Sequence, residues 1–202
     1  MTMTDEFRNI GQQRLANIEP LSAGINAWKT WLQDYRLGGG HADNVYVWLA
    51  CTLALESVAA GNFGVGCVLV DGQGALAVQG HNRVFTPHFR SDLHAEMVVM
   101  DEFEDAHPEP VGLEAYTLYT SLEPCPMCLV RLSTSGIGKV LYAAPDVEGG
   151  MVSRSSLLPP FWLDLAQRKT FGQAHCAQDL VHAANQIFLL NLDELVARVK
   201  AR

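Results

Sequence analysis

Thr120-Ser-Leu-Glu-Pro-Cys-Pro-Met-Cys128, read with His94-Ala-Glu96 upstream, is the stretch on which fold and chemistry turn. Two cysteines at CxxC spacing and a histidine offer three soft or borderline ligands. That is one short of a closed structural zinc site and leaves a fourth position open for water. Glu96 is not needed as a ligand, so it is free to move protons. Three ligands, an open position and a nearby carboxylate make a hydrolytic site. The local sequence supports this geometry. Pro124 keeps the approach to Cys125 extended, and Pro126 suits the first turn of a helix, where no amide hydrogen bond is lost. The CxxC therefore begins a helix, where the dipole and free N–H groups favour thiolate over thiol. His94 also precedes a helix. A lone CxxC can be a redox pair or an accident, and a lone His-x-Glu is common; together, each at a helix start, they point to one metal.

Working outward, the 202-residue chain fits one domain, or one domain with an extension. A hydrophobic content of 49% supports a real core, and a charged content of 18% is too low for a disordered chain. The net charge of −8 counts against a large nucleic-acid footprint, because phosphate neutralisation needs a basic face. Five cysteines, an odd number with Cys51 and Cys67 in mid-element, do not look like a secreted disulfide framework. The first residues lack a basic segment followed by an apolar run. The longest apolar run, 45–55, is about half of a membrane span. These features lead us to expect a cytoplasmic protein with no membrane segment.

Residues 1–40 read as an N-terminal extension. Ser22 is a candidate N-cap, followed by Ile25, Trp28, Trp31, Leu32 and Tyr35 at helical spacing, and Gly38-Gly39-Gly40 breaks that helix. Its apolar face packs on the domain, covers the site or meets a partner, and the first of these is the ordinary outcome. Asp43 or Asn44 caps a helix that runs to about Ala60 and is apolar almost all round, as a central buried helix would be. Val65 to Val70 and Ala75 to Gln79 form strands around the turn Asp71-Gly-Gln-Gly74. From His94 the pattern is helix–strand–helix–strand: a helix to about Glu104 stopped by His107-Pro-Glu-Pro110, a strand 115–120, a helix 126–133 and a strand 139–143. Parallel βαβ units produce this alternation. Residues 146–158 read as loop, Pro159-Pro-Phe-Trp162 as a short helix start, and about 177–199 as one long helix.

The pair His94-Ala-Glu96 and Pro124-Cys-Pro-Met-Cys128 resembles the H-x-E…P-C-x-x-C signature of the zinc-dependent cytidine deaminase superfamily. The resemblance covers about residues 41–150, including the hairpin and Gly80-His-Asn82. It implies an α/β fold, a three-layer α/β/α domain with a mixed five-stranded sheet, carrying N- and C-terminal helical extensions. The chain then divides into 1–40, a deaminase core at 41–150, and a C-terminal extension at 151–202 packed on that core. By the same resemblance His94, Cys125 and Cys128 hold Zn2+, which brings the pKa of water from about 15.7 toward about 7. Glu96 is the catalytic acid and base, and Asn82 hydrogen-bonds the substrate base. A homodimer is a family expectation.

The substrate is less legible. Leu118 to Leu129 and Tyr142-Ala-Ala144 look most like bacterial guanine deaminases, whereas Ser91-Asp92-Leu93 and Val130-Arg131-Leu132 depart from them. The hairpin and Gly80-His-Asn82 are similar to fungal cytosine deaminase. Glu123 matches the Glu-Pro-Cys form of purine and tRNA deaminases, and either contacts substrate or only caps locally. Asp92 either reads an exocyclic amine or caps the helix beginning at His94. Phe161 and Trp162 either close over a planar base or simply pack. The expected activity is release of ammonia from a free nucleobase or related small aminated heterocycle, guanine ahead of cytosine. The rivals are a nucleoside or tRNA adenosine deaminase and a non-catalytic zinc-bound module.

Overall fold

The computed structural model describes residues 2–38, 40–109 and 112–202. Gly39 of the triglycine break and Pro110 of the helix stop lie outside the described residues. Five strands, β1 (Gly66–Val70), β2 (Leu76–His81), β3 (Thr117–Leu122), β4 (Lys139–Ala144) and β5 (Thr170–Gln173), form one sheet in the order β2-β1-β3-β4-β5. β1 runs antiparallel to both β2 and β3, while β3, β4 and β5 are parallel. The sheet is thus mixed, as the hairpin followed by βαβ alternation requires. The hairpin closes on Asp71, whose Oδ1 accepts from the N–H groups of Gln73 and Ala75, and on Gly74 at φ +83°.

Among the described residues eight α-helices flank the sheet. α3 (Asn44–Ala59) is buried on nearly every side, because it lies between β1 and β3 on one side and α1 (Met3–Asn17), α2 (Ala23–Asp34) and α7 (Gln178–Leu189) on the others. Gly66 sits where β1 presses against α3: a Cβ there would collide with the Ala50 carbonyl. α4 (Ala95–Ala106) covers β2 and β1 and meets α5 (Pro126–Thr134). α6 (Pro160–Gln167) packs on α5, and α8 (Leu192–Lys200) follows α7.

The N-terminal helices take the ordinary role. α2 is capped by the Ser22 side chain, and Trp48 of α3 donates its indole N–H to the Leu32 carbonyl at 3.0 Å. α1 has no counterpart in the sequence reading. Its composition is polar and only Phe7, Gly11 and Leu15 are buried, a seam too narrow to show as periodicity. Its start is fixed by a capping box between Thr2 and Asp5.

Three further differences have local causes. β5 is only four residues long, with a central Gly172, so neither alternation nor β-branching announces it; it exists because β4 pairs with it. The expected long C-terminal helix is two helices. Asn191 interrupts it as the N-cap residue of α8, and its side-chain amide donates to the Asn62 carbonyl at 2.8 Å. Residues 152–157, expected as loop, form a short 3-10 helix. No helix among the described residues is long and apolar enough to cross a membrane.

Candidate metal and active site

One edge of the sheet gathers the functional residues. Asn82 follows β2 directly, Glu123 follows β3, and Pro145 follows β4, while β1 begins at the same edge because it is antiparallel. Ligands favour this edge in α/β sheets, where strand ends leave backbone and loop groups uncovered. Two helices start there. His94 is the N-cap residue of α4 and its carbonyl accepts from Val98; Cys125 is the N-cap residue of α5, with Pro126 at the first helical position.

These two helix starts converge. His94 Nδ1 lies 3.5 Å from Cys125 Sγ and 3.6 Å from Cys128 Sγ, and the two sulfurs are 3.6 Å apart. Ligand atoms about 2.0–2.3 Å from one tetrahedral zinc stand about 3.5–3.8 Å from each other. The three edges therefore already have the dimensions of a zinc tetrahedron. Among the described residues no other group of three such side chains has this arrangement. The remaining histidines stand outside it.

Proton affinities match a ligand set that a metal completes. The Cys128 thiol beside its sulfur, opposed by burial and aided by His94, holds Cys125 down to about 4. Cys128, next to Cys125 and buried, is pushed up; metal ligation requires both sulfurs as thiolates. Burial works against the charged form of His94, but the hydrogen bond and charge of Cys125 prevail and raise it.

Glu96 is buried at the second position of α4, with Oε2 3.5 Å from Cys128 Sγ. Burial first, and then the Cys125 charge, raise its carboxyl above the ordinary range. Asn82 is buried as well. Its Oδ1 accepts from the Val84 N–H at 3.0 Å, which orients the amide and leaves Nδ2 as the donor available to the cavity.

A cavity of about 700 Å³ contains Asn82, His94, Glu96 and Cys125. Part of its lining was not foreseen. Phe188 and Leu189 of α7, and Leu192, Asp193 and Val196 of α8, line the same cavity as His94, Glu96 and Cys125. The spacing of these positions along the chain is helical, but sequence alone does not tell which face of a C-terminal helix turns toward a site.

The open alternatives resolve locally. Glu123 lines the cavity, yet both its oxygens are engaged: Oε2 accepts from Asp146 N–H at 3.1 Å and Oε1 from Ser153 N–H at 2.8 Å. It holds the loop after β4. Asp92 neither caps α4 nor reaches the cavity; it forms an exposed two-bond pair with Arg90 at 2.9 and 2.6 Å. Trp162 packs against Leu129 and Leu158, and Phe161 is exposed beside it, so neither stands over the site.

A mixed five-stranded sheet, with a His/Cys/Cys triad and a buried carboxylate at its strand ends, defines a hydrolytic zinc centre. Residues 41–144 match the cytidine and deoxycytidylate deaminase zinc-binding region, and the chain belongs to that family, the zinc-dependent deaminases. It is 39% identical over 111 residues to the tRNA-specific adenosine deaminase of Bacillus subtilis, covering 54% of this chain and 65% of that one. It is 33% identical over 88 residues to the tRNA-specific adenosine deaminase of Streptococcus pyogenes serotype M1, covering 44% of this chain and 50% of that one. The match spans less than two thirds of either relative. Among solved structures, a tRNA:A34 wobble-position deaminase superposes with a TM-score of 0.54 at 26% identity, over 63% of this chain and 95% of that chain. The guanine deaminase of Nitrosomonas europaea shares the fold, with a TM-score of 0.56 at 20% identity over 85% of this chain and 95% of its own.

Proposed function

We propose that the protein deaminates a free nucleobase or a related small aminated heterocycle, with guanine the first substrate to try and cytosine the second. The observation that carries this reading is that the apolar side chains Phe188, Leu189, Leu192 and Val196 line the same cavity as His94, Cys125 and Glu96. A cavity of about 700 Å³ bounded in this way suits a planar ring sandwiched between metal centre and hydrocarbon. A polynucleotide needs an open groove with cationic side chains, and among the described residues no Lys or Arg lines this cavity.

Zinc would be held by His94, Cys125 and Cys128 and would supply Lewis-acid chemistry that makes hydroxide available near neutral pH. In this reading Glu96 takes the proton lost by the attacking water, gives it to a ring nitrogen, and passes a proton to the departing amine. Water and the amine-bearing ring carbon thus become a ring carbonyl and ammonia. The Asn82 Nδ2 donates to an acceptor on the ring and sets which carbon faces the metal. The reading includes a homodimer, which sedimentation analysis measures directly, and the division of the chain at about residues 40 and 150.

A second reading is deamination of adenosine in tRNA, favoured by the 39% identity to the Bacillus subtilis enzyme. An ammonia-release panel of zinc-loaded protein on guanine, cytosine, adenine, their nucleosides, aminotriazines and a tRNA anticodon stem-loop separates the two. The expected result is release from a free base or triazine. Release from the stem-loop alone would sink the first reading.

A further inference from the structure

The carboxylates around the cavity are not equivalent. Glu123 is spent on two backbone N–H groups, and Asp146 Oδ1 accepts from the N–H groups of Glu148 and Gly149. Glu148 and Asp193 also line the cavity, but both are exposed, and neither carboxylate has a hydrogen-bond or ion-pair partner among the described residues. They come from separate elements, the loop after β4 and the first turn of α8.

Among the described residues no Lys or Arg lines the cavity. Arg154 stands against the backbone of Glu148, donating to the Glu148 and Gly150 carbonyls and not to the Glu148 carboxylate, while Arg198 lies 4.1 Å over the Phe85 ring and Arg202 lies 3.7 Å over the Phe89 ring. A cleft lined by one sign of charge, with low-dielectric walls such as Phe188 and Leu192, focuses that charge onto whatever enters.

We propose that Glu148 and Asp193 are specificity-determining residues: they give the zinc cavity a preference for cationic and neutral heterocycles and reject those bearing a phosphate or carboxylate. This inference rests on the small-heterocycle reading above and narrows its substrate class. The two side chains act on the substrate at the cavity mouth, away from the bond that breaks.

The test is equilibrium binding by calorimetry to zinc-loaded protein, which needs no turnover. The probes are 9-(2-aminoethyl)guanine, 9-(2-hydroxyethyl)guanine and 9-carboxymethylguanine, similar in size and differing in charge. At low ionic strength the expected order is ammonium, hydroxyl, carboxylate, with about tenfold or more between the ends, shrinking as salt screens the mouth. In the Glu148→Gln/Asp193→Asn double variant the span should fall to about threefold or less. Equal affinities in the unmodified protein, no binding of any probe, or a span that survives both salt and the double substitution would each overturn the inference. Equal affinities alongside ammonia release from guanine would overturn the charge preference alone. Ammonia release only from the stem-loop would instead sink the small-heterocycle reading, whatever the binding order.

Discussion

Glu123 Oε1 accepts the Ser153 backbone N–H at 2.8 Å, so the residue two before zinc ligand Cys125 also fixes the chain thirty residues downstream. Its other oxygen holds Asp146, and a Cβ at Gly150 would come within 2.5 Å of its carboxyl carbon. The rim of the cavity is therefore organised from the strand end that carries the metal ligand. Hydrogen bonds to a charged, buried acceptor contribute about 1.5–3 kcal/mol each. Glu123→Ala leaves two backbone donors without their partner, and we expect the melting temperature to fall by roughly 5–10 °C in calorimetry. Zinc content should be retained, because no ligand is touched. An unchanged melting temperature would show that the loop does not depend on this carboxylate.

Glu96 differs in kind from its neighbours His94 and Cys128, since it is buried at the metal site without belonging to the ligand triad. Glu96→Gln nearly preserves volume and removes the charge and the ability to take up and release a proton. Zinc by elemental analysis and the circular dichroism spectrum should be unaltered, with ammonia release down at least several hundredfold, within the usual general acid–base contribution of about 10²–10⁴. Cys128→Ala should instead lose the metal. Near-normal turnover in Glu96→Gln would refute the proposed proton transfers.

In the proposed reading Asn82 has two duties that substitution can separate. Asp in its place keeps an acceptor for the Val84 N–H but exchanges the Nδ2 donor for a second acceptor. For Asn82→Asp we expect a melting temperature within a few degrees of the parent and kcat/KM on the preferred base lower by about ten- to a hundredfold, as losing a substrate hydrogen bond in a buried site implies. Asn82→Ala should lose both stability and activity. If Asn82→Asp deaminates normally, its amide serves only the turn after β2.

The division between what the sequence disclosed and what it withheld follows the range of the interactions. His94, Cys125 and Cys128 were legible because metal ligation constrains residue type and spacing within a few positions, and Pro124 and Pro126 state the local backbone. α3 was legible because a helix apolar on all sides has only one place to be. The cavity wall from α7 and α8 was not, because Leu192 and Val196 carry no mark of facing a site instead of the core. Asn191 reads like any helix-interior polar residue until its bond to Asn62 is known. Glu123 had the right motif position for a substrate contact, and only its partners Asp146 and Ser153 show a different use.

α8 closes the cavity while being held apart from the main core. Its one buried side chain, Leu195, joins a small separate cluster with Val84 and Phe85, and Arg198 and Arg202 lie over Phe85 and Phe89. A helix of nine residues has little stability of its own, so this cluster decides whether the roof is in place. Leu→Ala at a buried position costs about 2–5 kcal/mol. Here the loss should appear as local opening and not as global unfolding, since the main core is untouched. For Leu195→Ala we expect amide exchange across 192–200 to accelerate by at least about thirtyfold, while α3 and the sheet keep their protection. Activity on the preferred base should fall chiefly through KM, because the apolar wall contributed by Leu192 and Val196 is then absent for much of the time. Exchange that quickens equally in α3 would mean that α8 is part of the main cooperative unit, and an unchanged KM would remove it from the substrate site.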